Sequence, residues 1–191
     1  SSRDNRRSEN IFSFTTTRRI NFKTRERNRK TRSSKQTIRT NYIGDEMLNI
    51  ESIDQVFYKV VNSDEWKELQ DKFNEADDIY VLGHGGNLAV ADHAAIDISR
   101  LSNGTKNAMC PGSGTLVTSL INDTNFDQWM VQWLKMVTSS KTESQMKKSL
   151  ILGFSSSGTS RDIVKALQWG YSNDMKLACI TAKPLIETVP K

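Results

Sequence analysis

The chain has 191 residues and a mass of 21.7 kDa, with 27 Lys+Arg against 22 Asp+Glu, a formal charge of +5 and a pI near 9.2. Residues 1–40 hold 13 basic and 3 acidic side chains, which leaves 14 basic and 19 acidic in residues 41–191, so the basic character belongs to an arm and the body is mildly acidic. No run approaches the roughly 18 apolar residues a spanning helix needs, which excludes a membrane span, and two cysteines, Cys110 and Cys179, cannot form a disulfide scaffold and point to a reduced, cytoplasmic interior.

Residues 1–43 form the basic arm. Its only apolar clusters are Ile11-Phe12 with Phe14 and Ile20 with Phe22, too few to close a core, so disorder is expected. Clustered Arg and Lys suit contact with nucleic-acid phosphates, which is the sharper of several readings. A transit peptide, a solvated tail and a natural start at Met47 are the others.

From about residue 44 the pattern becomes that of a folded body, taken as residues 44–191. Ile50, Ile53, Val56, Phe57, Val60 and Val61 recur at helical spacing. Trp66, Leu69 and Phe73 continue the pattern after Asn62-Ser63-Asp64, where Ser63 or Asp64 caps a second helix. The first strand is Ile79–Leu82. A helix over 88–101, an extended piece at Asn107–Cys110, helices over 114–121 and 125–137, and a polar connection at Lys141–Lys148 follow. Strand Leu150–Phe154, a helix over 161–172 and strand Met175–Thr181 complete the series. Short, almost wholly apolar strands between helices predict an α/β fold, with a parallel sheet covered on both faces.

Two strand-to-helix turns carry the chemistry, because ligands of open parallel sheets collect at the carboxyl ends of the strands. Leu82-Gly83-His84-Gly85-Gly86-Asn87 follows the first strand. Its glycines let the backbone approach a ligand, and Asn87 offers a helix cap. The turn lacks the G-x-G-x-x-G spacing and the acidic residue of a dinucleotide site, so no nucleotide cofactor is expected. Alone, it fits a ligand loop or a plain tight turn. The second turn, Phe154-Ser155-Ser156-Ser157-Gly158-Thr159-Ser160, places hydroxyls, free N–H groups and a helix dipole together, which suits a phosphate monoester. Five hydroxyls in six residues exceed what capping an ordinary helix requires.

On the helix after the first turn, His93 and Asp97 are four apart on one face. Such a pair can hold a divalent metal, divide proton-transfer work or make a surface contact. His84 is the only other histidine, so strong metal ligands are few. Asn122-Asp123 is a further polar spot, or an Asx-type helix end. Trp129 and Trp133, four apart, suit a core or a subunit interface, and Trp66 and Trp169 suit packing.

Taken together, G-H-G-G-N then H-x-x-x-D, the Asn122-Asp123 pair followed by Phe126, and S-S-S-G-T-S leading into I-V-K-A-L resemble a sugar isomerase (SIS) domain, most closely the phosphoheptose isomerase branch. The ordered set spans Ser63 to Thr181. The resemblance implies a three-layer αβα fold, flavodoxin-like, assembled as a homo-oligomer (a dimer or tetramer) with sites at subunit interfaces. It implies interconversion of sedoheptulose 7-phosphate with an aldoheptose 7-phosphate through an enediol, often with zinc. Residue by residue, it gives substrate contacts to His84, Gly85, Gly86, Asn87, Asn122 and Asp123. It gives phosphate contacts to Ser155, Ser156, Ser157 and Ser160, a metal-binding role to His93, and to Asp97 the catalytic place with a share in the metal. A non-catalytic phosphosugar-binding module is the alternative. Three features depart from the family pattern. His84 and Asn87 stand where the family usually has asparagine and serine, Asp97 stands in place of a longer glutamate, and the family's last strand and its helix bearing a glutamine and a histidine have no counterpart by Lys191.

Overall fold

A computed structural model describes residues 50–112, 114–183 and 185 of the chain. The basic arm with its expected nucleic-acid contacts, Met47 and the segment 186–191 lie outside the described residues.

Four strands form one parallel sheet, β1 (Asp78–Leu82), β2 (Asn107–Met109), β3 (Ser149–Ser155) and β4 (Lys176–Thr181), in the order β2-β1-β3-β4. Register follows Ile79↔Ala108, Tyr80↔Ile151 and Gly153↔Cys179. All five residues of β1 are buried, as a strand covered on both faces requires.

Alternation along the strands divides the core into two halves. Tyr80, Leu82, Ile151, Leu177 and Cys179 face one side and pack with Trp129, Leu134, Ile163 and Leu167. Ile79, Val81, Leu150, Leu152 and Ala178 face the other and pack with Leu69, Ala91 and Ala95. The first side is covered by α4 (Gly114–Asp123), α5 (Trp129–Val137), α6 (Glu143–Lys147) and α7 (Arg161–Tyr171), and the second by α2 (Asp64–Glu75) and α3 (Gly86–Leu101). The three-layer αβα architecture expected from the alternation of strands and helices is the one observed. No helix among the described residues is long and apolar enough to cross a membrane.

Ser63 caps α2 as expected, its Oγ accepting the Trp66 N–H at 3.2 Å. Four local expectations change. The polar connection Lys141–Lys148 contains the short helix α6, closed by a capping box in which Thr142 and Gln145 satisfy each other's backbone N–H groups. Helix α5 begins at Trp129 rather than residue 125, because the Asn125 side chain accepts the Asp127 N–H at 3.0 Å and holds 125–128 as a turn. Asn87 is not the cap of α3. That place falls to Gly85 (φ +50), and Asn87 lies inside the first turn with its side chain free to reach elsewhere. On α1 (Ile50–Val61) the helical apolar pattern is real, yet Ile53, Val56 and Phe57 are exposed, because within the described residues α1 packs chiefly on α2.

Candidate functional site at the β1–β3 switch point

The chain leaves β1 through α3 to place β2 on one side, then places β3 on the other side of β1. The sheet therefore reverses its winding between β1 and β3, and a crevice opens there at the carboxyl ends. The two turns singled out by sequence follow β1 and β3 and so stand side by side.

Gly83 makes the first turn possible. A Cβ there would lie 2.4 Å from the backbone oxygen of Asn87, so α3 can fold back this closely only over a glycine. The fold-back brings Asn87 across to the second turn, where its Nδ2 donates to Ser156 Oγ at 3.0 Å. Gly85 and Gly86 are exposed at the tip.

The second turn partly satisfies itself. Ser155 is buried, and its Oγ accepts the Gly158 N–H at 3.1 Å and lies 3.3 Å from Ser160 Oγ. Ser157 Oγ accepts the Thr159 N–H at 3.1 Å. Ser156 and Ser157 are exposed, and Ser160 stands at the N-cap of α7 without a side-chain cap bond. The result is a loop braced by its own hydroxyls, whose helix end retains its positive dipole.

Between the two turns lies a contact absent from the sequence reading. His84 Nε2 is 2.5 Å from Oδ2 of Asp162, in the first turn of α7. The approach is that of an ion pair and is not aligned as a hydrogen bond. The Asp162 side chain has no exposed surface, against 29% for His84. Trp129 Nε1–H donates to the same Oδ2 at 2.9 Å, while Oδ1 is buried with no partner. Phe126 stacks on the imidazole at 5.3 Å with rings 11° from parallel, and Trp129 meets it edgewise at 6.0 Å. Trp129 is thus core, as expected, and a donor to the site besides. Asp162 gave no sequence signal of its own, since a carboxylate in a first helical turn is commonplace.

His93 and Asp97 meet each other, with His93 Nε2 3.3 Å from Asp97 Oδ2, and Arg100 shares the carboxylate at 3.1 Å. Their side chains are 78% and 35% exposed, on the outer face of α3 beside a groove of about 930 Å³ lined by Phe73, Val90, Leu101 and Lys106. Eleven residues of helix separate Asp97 from Gly86, a rise of roughly 16 Å away from the turns. Asn122 and Asp123 lie exposed at the end of α4, their side chains 3.4 Å apart.

No group of three or more His, Cys, Asp or Glu comes together among the described residues. His93 and Asp97 alone are too few for the three or four protein ligands zinc takes, so they do not fit a complete zinc site and no chemical step is routed through one. Both cysteines are free. Burial pushes the Cys179 thiol up to about 12, and burial followed by the nearby Asp92 carboxylate does the same for Cys110. Neither offers a thiolate near neutral pH.

No family model matches the sequence, and a search of curated proteins finds no match. Among solved structures, a phosphoheptose isomerase from Neisseria gonorrhoeae superposes with a TM-score of 0.54 at 22% identity, covering 69% of this chain and 69% of that one. A phosphoheptose isomerase from Francisella tularensis gives 0.53 at 20% identity, over 71% and 74%. The chain shares their SIS-type fold.

Proposed function

We propose that this SIS-type protein binds a phosphorylated sugar at the β1–β3 edge and isomerises it between aldose and ketose, on the pattern of sedoheptulose 7-phosphate, through an enediol. The observation that carries this reading is the bond from Asn87 to Ser156, which links a glycine turn to a hydroxyl loop at the switch point. The phosphate rests on Ser155, Ser156, Ser157, Ser160 and the α7 N-terminus. The polyol runs over Gly85, Gly86 and Asn87, with His84 at its phosphate end and Asn122 and Asp123 as further substrate contacts. The carboxylate that moves the carbon-bound proton is Asp97, with His93 beside it. Because Asp97 stands roughly 16 Å down α3, it reaches this substrate from a second copy of the chain. Exposed Phe57, Val90 and Leu101 suit such a homo-oligomer. The two free cysteines suit a cytoplasmic setting.

The ion pairing of Asp97 with Arg100 and His93 favours a second reading, a phosphosugar-binding module without chemistry. One experiment separates the two: turnover of sedoheptulose 7-phosphate, with and without added zinc, alongside the ligand's effect on Tm. Turnover establishes the isomerase. Stabilisation without turnover establishes the binding module. Neither response overturns both.

A further inference from the structure

The loop Ser155–Ser160 contains no lysine or arginine. Arg161, the next residue, is 66% exposed and is drawn through Nε to Asp127 at 3.3 Å. A dianionic phosphate there would meet only hydroxyls, N–H groups and a helix dipole, and a buried carboxylate, Asp162, stands two residues beyond the loop. That carboxyl has one oxygen without any partner, and it keeps a negative charge in the interior at low cost when an opposite charge compensates it. His84, in contact with it, is the neighbouring side chain able to carry such a charge.

We propose that His84, held by Asp162, is the cation of the phosphate site. The imidazolium keeps Nε2 against Asp162 as an ion pair and presents Nδ1–H to a phosphate-monoester oxygen, so a single ring joins a buried protein anion to the ligand's anion. Asp162 is the positioning residue, and Trp129 and Phe126 fix the two groups in place. Nδ1 has no hydrogen-bond partner among the described residues, and the side chain retains 29% exposure. The Asn87–Ser156 bond joins the turn bearing His84 to the loop that receives the ligand. The inference rests on reading Ser155–Ser160 as a phosphate loop and is independent of whether isomerisation follows.

The test uses inorganic phosphate and the full chain. With two histidines in the sequence, long-range proton–nitrogen spectra of the imidazoles resolve His84 from His93 once the H93Q variant has assigned them. In the wild type, His84 shows a proton on Nε2, and phosphate raises Tm and shifts the His84 Nδ1 signal while leaving His93 still. In H84N the phosphate Kd rises by roughly tenfold to a hundredfold, the loss of one charge-assisted hydrogen bond. D162N, provided it folds by circular dichroism, changes the His84 signals and weakens phosphate, whereas R161Q does neither. The wild-type spectra carry the test if D162N does not fold. Phosphate binding with a silent His84, or a Kd that rises in R161Q and not in H84N, overturns the proposal while leaving the phosphate loop intact. A wild type in which neither Tm nor either imidazole responds to phosphate overturns the loop reading and this inference together. Phosphate binding through His84 in a protein that turns over no sugar sustains the inference and removes only the isomerase.

Discussion

Each of the chain's two histidines stands against an aspartate, in surroundings that could hardly differ more. His93 and Asp97 are one helical turn apart in water, with Arg100 sharing the carboxylate. His84 and Asp162 come from turns after different strands, and the aspartate is wholly buried with an indole N–H on one oxygen and nothing on the other. In water, solvent and neighbouring ions replace a lost partner at little cost. In the interior no solvent replaces a lost partner, and removing His84 leaves the buried Asp162 carboxyl with the indole alone. Identical residue types thus form a contact the subunit's fold can lose in one place and a structural commitment in the other.

The contrast breaks most visibly at Asp162. D162A is expected to lower stability by about 3–5 kcal/mol, the cost of breaking a buried pair, which urea unfolding measures directly. An unchanged midpoint there would mean that the carboxylate is not paired as described. Next in size is G83A. Its Cβ meets the Asn87 carbonyl at 2.4 Å, so the turn must open at a cost of about 1–3 kcal/mol, and the phosphate response should fall with it. H93Q and D97N probe the exposed pair and should each move the midpoint by less than about 0.5 kcal/mol. A larger change would show that the pair itself, and not only the apolar groove beside it, is buried in the proposed homo-oligomer.

A further prediction concerns protons. Cys179 is held as the thiol in the fold, pushed up to about 12 from an ordinary 9.0, so the folded state binds its proton more tightly than the unfolded chain. That contribution is intact below about pH 9 and is lost as pH rises towards about 12. Compared with C179A, the wild type should therefore lose stability more steeply across that window. Parallel pH profiles would show that Cys179 is not shielded beneath the site.

Sequence pattern made the sheet readable because parallel strands buried on both faces leave short apolar runs such as Ile79–Leu82 and Leu150–Phe154. The exposed histidine pair was readable for a similar reason, since four-residue spacing on a helix is written in the chain itself. His84–Asp162 depends on the register of β1 with β3 and on the depth of α7, which no local pattern encodes. Asn87 shows the same limit on a smaller scale. Its residue type favours a helix cap, yet with Gly85 in the cap position its amide goes to Ser156, a partner 69 residues away. The capping box that makes α6 was present in the sequence as Thr142 and Gln145, but five residues of polar helix carry too little apolar periodicity to stand out.

The pairing across β1 and β3 also orders events at the ribosome. His84 is translated 78 residues before Asp162, an interval of roughly 4–16 s at about 5–20 residues per second. During that time β1 lacks its neighbour β3, and the glycine turn has neither the buried carboxylate nor Ser156 to set its shape. A nascent chain of this protein therefore has no partial site. On the proposed reading, ligand competence waits for the second half of the sheet to dock on the first.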